Sequence, residues 1–115
     1  MNVINQSEDI NVNVKLIFEL INNVDDYSNF LPWCSESKIL SDKNSEMVAE
    51  IEILRSPVQW KFKTRNTYQK EEIINIKLES GPFRNLDGYW KFSAIDSHNT
   101  TVSLFLEYEF DNRII

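Results

Sequence analysis

Apolar side chains near the N-terminus recur with the period of a helix. Four of them have the i, i+3, i+4, i+7 spacing that places side chains on one helix face: Val14, Ile17, Phe18 and Ile21. The pattern predicts a helix over residues 13 to 23, with Asn13 as its cap. A second short helical segment is predicted over residues 25 to 31. It must end there, because Pro32 disfavours the α region at the residue before it.

From residue 35 onward the period changes to two, which is typical of strands with one buried face. The alternation is clear over 47–53, 58–65, 73–79, 89–94 and 101–110. The links between these segments are too short to hold crossover helices, so consecutive strands must be antiparallel neighbours. An opening strand near residues 3 to 10 is expected to join the sheet edge. The predicted α+β order is one strand, two short helices and six further strands.

Two segments carry nearly all of the proline and glycine, namely residues 27–35 and 79–88. Such residues interrupt regular backbone, so we expect both segments to be irregular and to form the rim of a site.

The apolar face of the predicted sheet needs a cover that two short helices are too small to supply. Asp111 or Asn112 is placed to cap a further helix. We therefore expect one domain over residues 1–115 that is shortened at its C-terminus, or a partner that covers the sheet. If the natural protein ends at Ile115, the open face predicts a homodimer.

Composition limits the classes of function. A chain of 115 residues is one domain, and its net charge of −6 disfavours general affinity for phosphate backbones. The single cysteine, Cys34, cannot form an internal disulfide, which favours a reducing compartment. The N-terminus lacks the pattern of a signal peptide, and no window has the ~20 apolar residues of a membrane span. We expect a cytoplasmic protein that is soluble or peripheral on the inner face of the membrane.

Candidate catalytic residues are isolated from one another in the sequence. His98 lies in a polar turn, where a solvent-exposed role is the simplest interpretation. Cys34 has no evident base to activate its thiol. Glu79 is a single carboxylate, which by itself does not make an acid–base mechanism. No catalytic residues and no metal ligands are predicted, and no cofactor is required.

Basic residues on the predicted fourth strand have two interpretations. Lys61, Lys63 and Arg65 share one face and, with Lys77 and Lys91, form a stripe for anionic head groups or ribosomal RNA. The favoured alternative is a solvated surface on which they pair with acidic residues of neighbouring strands: Glu50, Glu52, Glu79, Glu107 and Glu109.

Five segments, in this order along the chain, carry a family resemblance: residues 30–34 (FLPWC), 62–66 (FKTRN), 81–86 (GPFRNL), 90–92 (WKF) and 108–113 (YEFDNR). Together they resemble the coenzyme Q-binding, START-like family, which lies beside the polyketide cyclase and dehydrase group. The resemblance implies a helix-grip fold, in which a curved antiparallel sheet wraps around a long C-terminal helix with an apolar cavity between them. That long helix has no counterpart in the pattern of this chain.

The resemblance implies a non-catalytic module that binds ubiquinone or a similar prenylated quinone and supports its respiratory use or synthesis. Bacterial relatives imply an alternative, a toxin that blocks association of ribosomal subunits, and a third is a small aromatic cyclase. The expected partners are a hydrophobic small molecule, the membrane surface, and in the alternative a ribosomal subunit.

Candidate site residues follow from the inward faces of the strands. The expected cavity lining is Trp60, Phe62, Leu78, Phe83, Trp90, Phe92, Leu104, Leu106 and Tyr108. The competing interpretation is that they form an ordinary core against a helix. Phe30, Leu31 and Trp33, around Pro32, are expected to form a lip that dips into a membrane interface, or else a plug that closes one end of the core.

Overall fold

Seven strands and two short helices make up the computed structural model, which describes residues 1–111. The strands are β1 (Asn2–Ile10), β2 (Cys34–Lys43), β3 (Glu46–Arg55), β4 (Val58–Gln69), β5 (Ile73–Ser80), β6 (Phe83–Ala94) and β7 (Thr100–Phe110). They form one antiparallel sheet in the order β1-β7-β6-β5-β4-β3-β2. The predicted meander is confirmed, and the opening strand joins the edge beside the last strand.

The helices lie between β1 and β2. Helix α1 spans Val14–Asn22, a 3₁₀ turn spans Val24–Asp26, and helix α2 spans Tyr27–Phe30. The side chain of Asn13 accepts a hydrogen bond from the Lys15 backbone N–H at 2.9 Å, so the predicted cap is confirmed. Among the described residues, no helix combines the length and apolar character needed to cross a membrane.

The register of the sheet places alternate residues of neighbouring strands on one concave face. Ile53 opposes Trp60 between β3 and β4, and Ile74 opposes Trp90 between β5 and β6. Residues that face each other across an antiparallel pair point to the same side. The inward positions of successive strands therefore converge into one surface.

Helix α1 covers one end of that surface. Its buried residues Ile17 and Phe18 pack against Ile74, Phe92 and Val102, and the rings of Phe18 and Phe92 meet edge to face at 5.3 Å. A separate buried cluster of Phe62, Phe83 and Leu86 lies toward the other end of β6. Residues of α1 belong to the first cluster and not to the second, so the helix leaves part of the concave face uncovered, as the sequence predicts.

The prediction that residues 79–88 are irregular is wrong for most of that segment. Only Gly81 and Pro82 form a turn, with Gly81 at a φ of 149° that favours glycine, and β6 begins at Phe83. Gly88 lies inside β6, at a point where β7 passes too close for a side chain. A Cβ added there would lie 2.0 Å from the backbone oxygen of Phe105.

The further helix that Asp111 or Asn112 is placed to cap falls on residues from Asn112 onward, which lie outside the described residues. Asp111 is buried, and its backbone N–H donates to the Pro82 carbonyl at 3.0 Å.

Replacing Gly88 with alanine should destabilise the protein by about 2–3 kcal/mol, because the new methyl group forces β6 and β7 apart. Urea unfolding followed by circular dichroism measures the change. Ser93→Ala, at an exposed position of the same strand, is the matched control and should leave the unfolding free energy unchanged. Equal stability of G88A and S93A would contradict the close approach.

Candidate functional site

A cavity of about 370 Å³ lies between the concave face of the sheet and the helices. Its lining is aliphatic and aromatic with a few neutral polar groups, and no charged side chain of the described residues contributes to it. Residues of β1 and β3–β7, the end of α1, the 3₁₀ turn, α2 and Trp33 surround it. Such a lining suits an apolar ligand.

Five rings, which we call the aromatic cluster, line the cavity at the end of β6 and β7 away from α1: Trp60, Phe62, Phe83, Tyr108 and Phe110. Phe83 and Phe110 stack at 5.1 Å, and Trp60 lies 4.5 Å from Phe110. Wide rings that pack on one another keep this end apolar and leave flat surfaces toward the cavity.

Six of the nine residues predicted as lining do line the cavity: Trp60, Phe62, Phe83, Trp90, Leu106 and Tyr108. The other three have different positions. Leu78 packs against the cluster of Phe62 and Phe83, Phe92 belongs to the core under α1, and Leu104 is half-buried without contributing to the lining. Phe92 lies outside the cavity because α1 fills the space over it.

Several lining residues were not singled out from the sequence. Ile51, Ile53, Ile74 and Ile76 have the same inward parity as the predicted residues, so the alternation contains the signal for them. An apolar alternation carries no signal for polar residues in a lining, which here are Asn22, Thr64 and Asn66.

The polar lining residues have unusual surroundings. Asn66 is 7% exposed, and its amide oxygen accepts no hydrogen bond from the described residues. The amide oxygen of Asn22 is likewise buried and unpaired among them. The Tyr27 hydroxyl already donates to the Ile21 carbonyl, and burial raises the pKa of Tyr27, so its proton stays in place at neutral pH.

The predicted lip lies beside the cavity. Phe30 is 50% exposed and Trp33 is 41% exposed, while Leu31 is half-buried. Trp33 also lines the cavity, and its carbonyl accepts a hydrogen bond from the N–H of the exposed Leu54 at 3.0 Å. The arrangement forms an exposed apolar edge that we call the lip (Phe30, Leu31, Trp33 and Leu54).

Three of the five residues of the basic stripe are paired with glutamates, whereas Lys77 and Lys91 form no ion pair among the described residues. Lys61 lies 3.4 Å from Glu36 and 3.6 Å from Glu50, and Lys63 lies 3.9 Å from Glu50. Arg65 binds both carboxylate oxygens of Glu79 at 3.0 Å and also contacts Glu46. The sheet register brings the opposite charges together, as the second interpretation of the stripe expects.

The three titratable side chains weighed for catalysis are held outside the cavity lining. Arg65 lowers the pKa of Glu79, which keeps this carboxylate ionised and paired. Cys34 is 3% exposed, and burial raises the pKa of its thiol, so it lacks thiolate character. His98 is exposed in its turn. Within residues 1–111, no three His, Cys, Asp or Glu side chains are grouped to hold a metal ion.

Comparison with known proteins decides the family. Residues 10–115 match the family described as polyketide cyclase / dehydrase and lipid transport. The chain belongs to this family. A START superfamily protein from Mycobacterium smegmatis has the same fold, with a TM-score of 0.82 and 16% identity over 94% of this chain and 77% of that one. The predicted START-like, helix-grip class is confirmed.

Two curated relatives have different names. The ribosome association toxin RatA of Pseudomonas aeruginosa is 34% identical over 88% of this chain and 70% of its own length. The mitochondrial coenzyme Q-binding protein COQ10 of Dictyostelium discoideum is 30% identical over 78% of this chain and 45% of its own length. The chain spans 63% to 80% of the length of the matched ribosome association toxins.

Proposed function

We propose that the cavity binds one neutral amphipathic lipid, and that ubiquinone or a related prenylated quinone is the ligand. The observation that carries the proposal is a cavity with aromatic and aliphatic walls, to which residues 1–111 contribute no charged side chain. Removing the apolar surface of such a ligand from water contributes ~25 cal/mol per Å² to binding. The module then supports the use or synthesis of the quinone in respiration.

The size of the cavity suggests how much of the ligand it holds. Its volume of about 370 Å³ is near the lower end of the ~300–1,000 Å³ of small-molecule pockets. This space suits a substituted ring and the first part of a tail, so the rest of a polyprenyl chain must lie outside.

Two further observations support a binding role without chemistry. A relative that covers 78% of this chain is named for binding coenzyme Q. The only titratable groups among the described lining residues are the phenols of Tyr27 and Tyr108, and Tyr27 donates a hydrogen bond to a backbone carbonyl. A cyclase needs a positioned acid or base, and no carboxylate, histidine or lysine within residues 1–111 lines the cavity.

Purified protein should carry a quinone that organic extraction releases. We expect its ultraviolet band to disappear on borohydride reduction. Ile76→Phe, which adds volume inside the lining, should reduce the extracted amount severalfold because it occupies ligand space. Lys77→Ala, on the outer face of the same strand, is the matched control and should extract like the wild type. The proposal fails if the wild type carries no quinone and also takes up none from detergent solution.

The lip is proposed to be the membrane contact through which the lipid enters. Exposed indole and phenyl rings partition to the interface of a bilayer, and Trp33 contributes to both the lip and the cavity. A lipid that passes along this edge avoids crossing water.

Trp33→Ala should lower binding to liposomes severalfold in a flotation assay while leaving the unfolding curve unchanged. Ile95→Ala, at an exposed apolar position in the turn between β6 and β7, is the matched control. Unchanged flotation of W33A would remove the lip from the proposal and favour the plug.

A second candidate function is inhibition of ribosomal subunit association. The 34% identity to a ribosome association toxin favours it, whereas Lys61, Lys63 and Arg65 of the stripe are already paired with glutamates. Arg84 is exposed on β6, and no ion pair involves it among the described residues. It is therefore a better candidate for an RNA contact than these paired residues.

Sedimentation with separated ribosomal subunits at increasing salt tests this candidate. Loss of subunit joining in the presence of the protein would support it. Arg84→Ala should then weaken binding and reduce its salt dependence, while Lys61→Ala should have the smaller effect because glutamates already neutralise that lysine. Joining that proceeds normally at low salt would exclude the candidate.

A further inference from the structure

We propose that the inner part of the cavity is a binding site for an uncharged polar head group, formed by Asn66, Asn22 and Thr64. The ligand would enter ring first, with its tail directed toward the aromatic cluster and the lip. This inference rests on the proposed lipid-binding function and specifies the class of head group that it selects.

The inward face of β4 changes character along its length. Trp60 and Phe62 belong to the aromatic cluster, whereas the next two inward positions are Thr64 and Asn66. Trp60 and Asn66 are six positions apart on the strand, which corresponds to roughly 20 Å at ~3.3 Å per residue. The cavity thus has an aromatic part and a polar part, and Asn22 at the end of α1 adds a second amide to its lining.

The amide oxygen of Asn66 has no hydrogen-bond donor within the described part of the chain. Its neighbours across the sheet are Met47 on β3 and Ile76 on β5, neither of which has a side chain that donates to an amide oxygen. Burying an amide oxygen without a hydrogen bond destabilises the fold, and an aliphatic residue at this inward position would avoid that penalty. A ligand group that hydrogen-bonds to the amide would compensate for it.

The lack of charged side chains among the described lining residues restricts the head group. A carboxylate or phosphate at this depth would lose its hydration without meeting a cation, because no Lys, Arg or His within residues 1–111 lines the cavity. An asparagine amide both donates and accepts hydrogen bonds, so it serves a carbonyl or a hydroxyl equally. A quinone or phenol ring meets these requirements, because it is polar, uncharged and flat.

Three probes with alkyl chains of similar length separate the contribution of the head group from that of the tail. Decyl-p-benzoquinone has a neutral polar head, decylbenzene has an apolar one, and decanoate has a charged one. Displacement of bound 1-aminoanthracene reports the affinity of each. We expect wild-type protein to bind the quinone most tightly and decanoate most weakly. Asn66→Leu should weaken quinone binding about tenfold, the equivalent of one lost hydrogen bond, and leave decylbenzene unchanged.

Thr67→Val, on the outer face of β4, is the matched control and should bind all three probes like the wild type. Asn22→Leu tests the second amide independently, and it decides the question if N66L does not fold. A severalfold loss of quinone affinity with decylbenzene unaffected supports the inference. Quinone affinity within twofold of wild type in each folded variant would overturn it while the proposed function stands. A wild type that binds neither quinone nor decylbenzene would overturn the proposed function itself.

Discussion

One constraint shapes the rest of this protein: an antiparallel meander with a single apolar face must cover that face. The register sends alternate residues of neighbouring strands to the same concave side. Helix α1 covers only the end of the sheet around Phe92 and Val102. Toward the other end, aromatic rings pack sideways on one another and leave a cavity between them and the helices. Core and candidate site are therefore two parts of one surface.

The two faces of the sheet separate charge from apolar surface. On the outer face, Lys61, Lys63 and Arg65 pair with glutamates across strands, which reduces the free positive charge of the stripe. On the inner face, no charged side chain of residues 1–111 lines the cavity. This separation favours a neutral lipid over a polyanion as the partner of the described residues, although similarity to a ribosome association toxin keeps the second function in view.

Local patterns were sufficient for most of the elements and for two thirds of the predicted lining. The helix cap at Asn13, the end of α2 before Pro32 and the inward parity of Trp60 and Trp90 depend on neighbours in the sequence. The start of β6 was misjudged, because Gly88 resembles a loop residue until β7 is seen beside it. Parity alone also could not show that α1 buries Phe92 and leaves Trp90 open to the cavity.

The sequence by itself determined the α+β class, the order of the elements and which side chains share a face, because these follow from periods of 3.6 and two and from short turns. Only the tertiary structure decided which inward residues are core and which line a cavity, and that the buried amide oxygen of Asn66 is unpaired among the described residues. The physical reason is that the packing of α1 on the sheet and the partners across strands join residues far apart in the chain, and local periodicity carries no information about those contacts.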